Sequence, residues 1–582
     1  MSNNKNPSSV VADRSIDTSA GTSVSTLDNS QVVNAHTPTL SRRTLLTGAV
    51  AGATVAATAL AQKGGNGNGG NAEHPVLGGS RSIRSQNATR LREKAAKTHL
   101  QEFIQEQRTN GDEAFADKRG SFSKTLPHNR FGEVDTQQYQ ALLRALDSGN
   151  NADFEQIQLA PNCTRRLANP QGAYKFEMVG RDAHNTFIRP APPFLGAETA
   201  GEMGELYWKA LCRDVPFCEF DNHPLIAAAV ADLNRLRAPV GPKAGGKVTA
   251  QTIFRGETPG DLVGPYLSQL LLKPIPWGPS IIDQRYQAPV AGENFGTTEG
   301  EWLAIQEGRV PGRLSRVSNA TYLYDARCLG EYVHADFSFQ AYLNAALILL
   351  GEGALDTGGV YMTGSTQGGF VSLGAPDVLD LVSKAGNLAL TGAWYQKWLV
   401  HRRARPEVYA GRLHFQKLGQ RQYDLPADIA NSEAVDRVFS QYGTYLLPLA
   451  FAEGSPTHPS YPAGHATIAG ACVTVLKAFF QGDKELSNPV TTNSVGDLVS
   501  YAGTLTVEGE LNKLANNVAL GRDWAGVHYR SDGVDGLQVG EQQAETLLRD
   551  YSLTYNESFD GFVFRRFNGQ QVRIVNGELT LI

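Results

Sequence analysis

Three short stretches in the C-terminal half carry the residues whose types and spacing could do chemistry. The first contains Trp394, Lys397, His401, Arg402, Arg403, Arg405 and Pro406. Proline disfavours helical backbone at the residue before it, so a helix is expected to end near Arg405. Lys397 and Arg405 then lie about two turns apart and can converge on one anion. An Arg fork and a Lys point charge are complementary tools for a tetrahedral oxyanion. A basic helix end favoured by the macrodipole is the alternative. His401 is expected near the site's outer layer or at the surface. The second stretch, 455–465, is a Pro/Gly-rich loop that runs into an apolar segment. Backbone N–H groups at a helix N-terminus bind anions, and Gly464 permits a close approach. His465 falls in the first turn, placed for general acid/base work or for a core hydrogen bond. The third stretch, 521–532, contains Arg522, His528 and Asp532. His528 and Asp532 are four apart and are expected on one helix face. The carboxylate can fix a histidine tautomer or orient an arginine. Arg522 is expected from the incoming loop. His528 suits a nucleophile or a metal ligand.

These residues need a scaffold, and the scaffold reads as helical. Apolar residues recur at helical spacing over 137–148, 200–213, 335–351 and 377–403. Residues 466–480 are apolar nearly all round, which predicts a buried helix. Long Gly/Pro-rich loops separate these segments, for instance 254–300. Residues 562–582 alternate apolar and polar around Asn568-Gly569 and Asn576-Gly577, which predicts a small three-stranded meander.

The chain of 582 residues is longer than one ordinary core serves. Its 41% hydrophobic and 19% charged content fit a soluble globular protein. The net charge of −5 and the lack of a long basic run exclude nucleic acid as the expected partner. Five cysteines match no zinc module; Cys212 and Cys218 are near enough in sequence to bridge, or all five are free thiols. No calcium loop is evident. Near the N-terminus, Ser41-Arg42-Arg43-Thr44-Leu45-Leu46 precedes a weakly apolar run ending in Ala59-Leu60-Ala61. This reads as a twin-arginine export sequence with a small-residue cleavage site, and hence a periplasmic or extracellular protein. The run is dominated by Ala, Gly and Thr and partitions too weakly for an anchor. No membrane span is expected after its removal. The expected organisation is an export peptide over 1–61, a flexible linker over 62–115, an N-terminal helical subdomain over 116–340 and a C-terminal helical subdomain over 341–582.

The order K-x7-R-P, P-x-G-H, R-x5-H-x3-D resembles the vanadium haloperoxidase and type 2 acid phosphatase superfamily. The wording KWLVHRRARPE at 397–407, SPTHPSYPAGHA at 455–466 and AGVHYRSDG at 525–533 resembles the vanadium bromoperoxidases. The likeness extends to LPHNRFGEVD at 126–135 and ELYWKALCRDVPF at 205–217, and covers roughly 120–555. It implies an all-α fold of two four-helix bundles with the site in the C-terminal one. It also implies vanadate, one per subunit, as a Lewis acid that keeps its oxidation state. Lys397, Arg405 and Arg522 would neutralise its equatorial oxygens, Gly464 would donate its N–H, and His528 would bond the vanadium. His465 would handle protons, and Lys397 would polarise the bound peroxide. Trp394 and His458 match positions lining the halide side of the pocket. The implied reaction oxidises bromide or iodide, with chloride open, by hydrogen peroxide to hypohalous acid. That product halogenates small organic acceptors. Related enzymes assemble into dimers or larger shells, so a homo-oligomer is expected.

Two departures stand out. Ala463 replaces the usual serine of P-S-G-H, and Gly521 stands where serine is common. A hydrogen bond to a charged group is worth about 1.5–3 kcal/mol, so the missing hydroxyl lowers the expected vanadate affinity by about one or two orders of magnitude. Two other functions fit the same scaffold. In an acid phosphatase His528 would become a phosphohistidine and His465 would protonate the leaving group. Trp394, His458 and the long N-terminal half weigh against that. A non-catalytic oxyanion binder would have only Ala463 in its favour.

Overall fold

The computed structural model describes residues 81–102, 106–363 and 366–582. The twin-arginine segment lies outside them. The principal helices are, in chain order, α1 (Arg81–Gln101), α2 (Thr136–Ser148), α3 (Ala197–Cys212), α4 (Pro224–Leu233), α5 (Ala326–Tyr332) and α6 (Gln340–Gly351). They continue with α7 (Ala375–Tyr395), α8 (Pro406–Lys417), α9 (Glu433–Tyr442), α10 (Gly464–Phe479), α11 (Val507–Trp524) and α12 (Arg530–Ser552). Short hairpins sit in the connections, including Ile275–Trp277 with Ser280–Ile282 inside the stretch read as loop. Among the described residues no helix is long and apolar enough to cross a membrane.

Local chemistry sets the helix ends. Asp135 caps α2 by accepting from the N–H groups of Gln137 and Gln138, and Gly149 ends that helix with φ 66°. α10 is buried along almost its whole length, as its all-round apolar sequence requires. It packs against α7, α11 and α12, and these four helices form the C-terminal bundle. The tightest seam is between α10 and α12. A Cβ on Gly470 would sit 2.1 Å from the Leu537 carbonyl, and one on Gly540 would sit 2.0 Å from the Thr467 carbonyl. Only glycine allows two helix backbones to approach that closely.

Helix direction decides what gathers at one end of this bundle. α10 and α12 run parallel, since Ala463 lies beside Asp532 and Gly470 beside Leu537. α7 runs against them, bringing Trp394 to Gly464, and α11 does the same, bringing Ala519 to Gly533. Two helix N-termini and two C-termini therefore meet at one end. The N-termini contribute positive dipole ends, and the C-termini carry basic side chains that their negative ends favour.

α3 is buried on nearly every side, Glu202, Glu205 and Lys209 included. It is covered by α4 from the N-terminal half and α9 from the C-terminal half. One principal apolar cluster extends from Phe131 to Ile574 and crosses position 340. A core this large needs cover from both halves. The stretch read as a flexible linker contains α1, whose few apolar residues hid its period; His99 is bonded to Asp550 at 2.9 Å and Glu102 to Arg181 at 2.6 Å. The predicted meander is present as Phe562–Arg565, Gln571–Val575 and Glu578–Leu581. Asn576 and Gly577 both take positive φ at its second turn. All five cysteines are free; Cys212 is buried and Cys218 exposed, so the possible bridge is not formed.

Candidate active site

The helix expected to run to Arg405 stops earlier. α7 ends at Tyr395, a π-helical turn covers Gln396–His401, and Arg402 reverses the chain with φ 43°. Arg405 is the N-cap residue of α8, and Pro406 opens that helix. Lys397 and Arg405 thus reach the site from two elements joined by a sharp reversal, not from one helix face. His401 is enclosed behind them, with its pKa lowered to about 3 by burial and by Arg402 and Arg403. Arg522 belongs to the last turn of α11, not to the incoming loop.

The environment of these cations is unusual. Lys397 Nζ donates to the carbonyls of Pro459 at 2.8 Å and Ser460 at 2.7 Å. Arg405 donates to the carbonyls of His458 and Val527, to His458 Nδ1 at 3.1 Å and to His528 Nε2 at 2.9 Å. Arg522 Nη1 donates to Val333 O at 2.6 Å, and its Nε has no partner. All three are fully buried, and none forms an ion pair among the described residues. Burial and mutual repulsion hold Lys397 well below the ordinary lysine range. Burial lowers Arg405 to about 9 and Arg522 to about 10, against the partial support of acids farther off. Buried charge without a counter-charge is costly. An oxyanion supplies the missing charge, so the residues present fit vanadate.

His528 is not on a helix face. It lies in the loop before α12, and Asp532 sits in that helix's first turn. The pairing itself forms: His528 Nδ1 donates to Asp532 Oδ2 at 2.8 Å. Because a guanidinium can only donate, Nε2 keeps its lone pair toward Arg405. Burial and the Arg405 charge hold the ring neutral, far below the ordinary histidine range. This tautomer is the one a metal ligand or nucleophile requires. Asp532 also accepts from Arg403, the Tyr529 N–H and the Ser460 hydroxyl. Burial pushes its carboxyl up, but Arg403 and these donors hold it well below the usual range.

Ala463 is the N-cap residue of α10 and leaves the first turn of that helix without a side-chain cap. Gly464 does not owe its identity to lack of room: a Cβ there would meet Leu390 and Trp394 at an ordinary 3.6 Å. His465 is partly exposed, and its Nε2 lies 3.0 Å from Asp336 Oδ1. Trp394 donates through Nε1 to the carbonyls of Ala168 and Asn169, and its ring lies 4.7 Å from that of His458. His458 accepts from Arg405 at Nδ1, and burial with Lys397 and Arg405 nearby keeps it neutral.

Several residues escaped the sequence reading. Asp336 comes from the turn after α5, 129 positions before its partner. Arg403 carries no spacing signal of its own, yet it bridges Asp532 and Glu202. Lys124 is buried against Glu407 and the Ser455 carbonyl, which ties the N-terminal segment to the site loop. Distance in sequence hides all three.

Comparison with known proteins gives the family. A family model described as the second helical-bundle domain of VCPO matches residues 378–556. The chain is 34% identical over 542 residues to a vanadium-dependent bromoperoxidase of Corallina pilulifera, covering 78% of this chain and 90% of the relative. It is 35% identical over 493 residues to one of Ascophyllum nodosum, covering 80% and 87%. Among solved structures, the homohexameric second vanadate-dependent bromoperoxidase of Ascophyllum nodosum superimposes with a TM-score of 0.83 at 30% identity, covering 88% of this chain and 96% of that one. With its buried cations, its neutral histidine and this likeness over most of its length, the chain belongs to the vanadium-dependent bromoperoxidase family.

Proposed function

We propose that this vanadate-dependent haloperoxidase oxidises bromide and iodide with hydrogen peroxide, and releases hypohalous acid that halogenates small organic acceptors. The observation that carries the reading is the set of three buried cations, unpaired by any carboxylate, beside the unprotonated Nε2 of a neutral His528, whose lone pair faces Arg405. When bound, vanadate supplies Lewis acidity that activates peroxide toward halide without a change in oxidation state.

The chain's own residues divide the remaining work. His528 Nε2 would hold the vanadium, and Asp532 keeps that nitrogen unprotonated by accepting the Nδ1–H. Lys397, Arg405, Arg522 and the Gly464 N–H would hold the oxygens, and Lys397 would also polarise the peroxide. His465 donates its Nε2–H to Asp336, which leaves Nδ1 free to take a proton from incoming peroxide. Trp394 and His458 line the halide side; with Nδ1 occupied by Arg405, His458 carries its proton on Nε2 and can donate to a halide.

The protein is proposed to leave the cell through the twin-arginine pathway and to act as a homo-oligomer in the periplasm or outside. A homohexameric relative of the same fold supports the second point. The test is reconstitution of the apo-protein with orthovanadate, followed by bromination of monochlorodimedone with hydrogen peroxide. Hydrolysis of p-nitrophenyl phosphate without vanadate is the control for a phosphatase, a reading the family does not favour. Brisk phosphate release with no vanadate-dependent bromination would overturn the proposal.

A further inference from the structure

Arg522 is held differently from the other two cations. Its Nη1 has one carbonyl partner and its Nε none, so hydrogen bonds alone do not fix the guanidinium plane. The remaining restraint is a ring: Arg522 Cζ lies 5.2 Å from the centroid of Phe451, which is itself buried. Phe451 in turn is stacked on His334, with centroids 3.8 Å apart and planes 12° from parallel.

His334 is clamped from both sides. Its Nδ1 lies 3.1 Å from Glu331 Oε2 and its Nε2 lies 2.8 Å from Glu453 Oε1. Two carboxylates facing two ring nitrogens are both satisfied only by the imidazolium. Burial works against that charge, but Glu331 and Glu453 outweigh it and raise the pKa to about 9. Arg316 shares Glu331 and adds positive charge on that side. The same turn supplies Val333 O to Arg522 and Asp336 to His465.

We propose that His334 is a positioning residue for oxyanion binding: clamped between Glu331 and Glu453, it presses Phe451 against Arg522 and aims that guanidinium into the cradle. A ring suits this task better than an acid. A carboxylate touching Arg522 would neutralise it and compete with the incoming oxyanion, whereas an aromatic face attracts a cation without cancelling its charge. The inference rests on the vanadate reading above.

The test is calorimetric titration of the apo-protein with orthovanadate, with thermal melts to confirm folding. Phe451→Leu keeps apolar volume and removes the ring face; affinity is expected to fall about 10-fold. His334→Gln, which removes the stack and the charge, should lose a similar factor, and it carries the comparison if Phe451→Leu does not fold. In an Arg522→Gln background the same substitutions are expected to change affinity less than about two-fold, because the coupled partner is gone. An equal loss in both backgrounds would overturn the inference, as would unchanged affinity of Phe451→Leu with Arg522 in place. Absence of binding by the unaltered protein would overturn the vanadate reading and this inference together.

Discussion

Asp532 Oδ2 accepts the Nδ1–H of His528 at 2.8 Å, four residues back along the chain and across a helix N-terminus. That one bond selects the tautomer, and the tautomer leaves Nε2 as the metal-binding atom. His528→Ala is expected to abolish vanadate-dependent bromination. Asp532→Asn should keep the fold but weaken orthovanadate binding about 10–100-fold, as loss of a ligand-orienting carboxylate does elsewhere. Calorimetry and the bromination assay read both; undiminished bromination by His528→Ala would place the anchor on another residue.

Binding should move a proton. Lys397 is depressed well below its ordinary range by burial and by Arg405. A bound oxyanion raises its pKa again, so the bound-state value exceeds the free-state value. Affinity is then full below the free-state value and declines as pH rises through the bound-state value. Calorimetry in buffers of different ionisation heat should show proton uptake between the free-state and bound-state values. Lys397→Met should remove the excess; equal uptake by both proteins would contradict the assignment.

Restoring a hydroxyl at Ala463 should have two effects. The residue is an uncapped N-cap with extended backbone, so Ala463→Ser gains a side-chain cap worth about 1 kcal/mol. The same hydroxyl can donate to the oxyanion, and vanadate affinity should rise about 10-fold or more. A higher melting temperature without tighter binding would separate the cap from the anion contact.

Lys124 and Glu407 form an ion pair that is fully buried at both ends. Glu407 also accepts the N–H and hydroxyl of Ser455, at the start of the site loop. Lys124→Met strands a buried carboxylate, at a cost of about 3–5 kcal/mol. Lys124→Met with Glu407→Gln should recover part of the loss. Chemical denaturation measures both, and a loss below about 1 kcal/mol would show that the pair is dispensable.

His334 gives stability a pH signature. Its folded-state pKa of about 9 lies above the ordinary value of 6.5. Its contribution is therefore complete below about pH 6.5 and disappears as pH rises through about 9. The melting temperature of His334→Gln should fall furthest below that of the unaltered protein in mild acid, and the gap should close above about pH 9. A gap independent of pH would show that stacking on Phe451, not the ionic clamp, carries the stability.

The residue types were legible because the chemistry demands them. Lys397, Arg405, Arg522, Gly464, His465 and His528 lie in three motifs whose order and spacing survive in a single chain. Helices with strong apolar patterns, such as α2 and α10, were legible for the same local reason. α1 was not, because its sequence has almost no apolar period.

The sequence by itself determined which groups are available: three cations, two histidines, a glycine before a buried helix and an alanine where a hydroxyl is usual. It also determined the meander, since Asn-Gly turns and alternating runs are local properties. Only the tertiary structure decided how those groups face one another. The break of α7 at the π-helical turn sends Lys397 and Arg405 to the site from different elements. The Gly470–Gly540 seam sets α10 and α12 parallel and brings His465 and His528 to one end. Asp336, Ser460, Arg403, His334 and Phe451 act through contacts tens to hundreds of positions apart. Spacing along a chain records only what local backbone geometry can use; long-range electrostatic and packing partners are settled when the helices close.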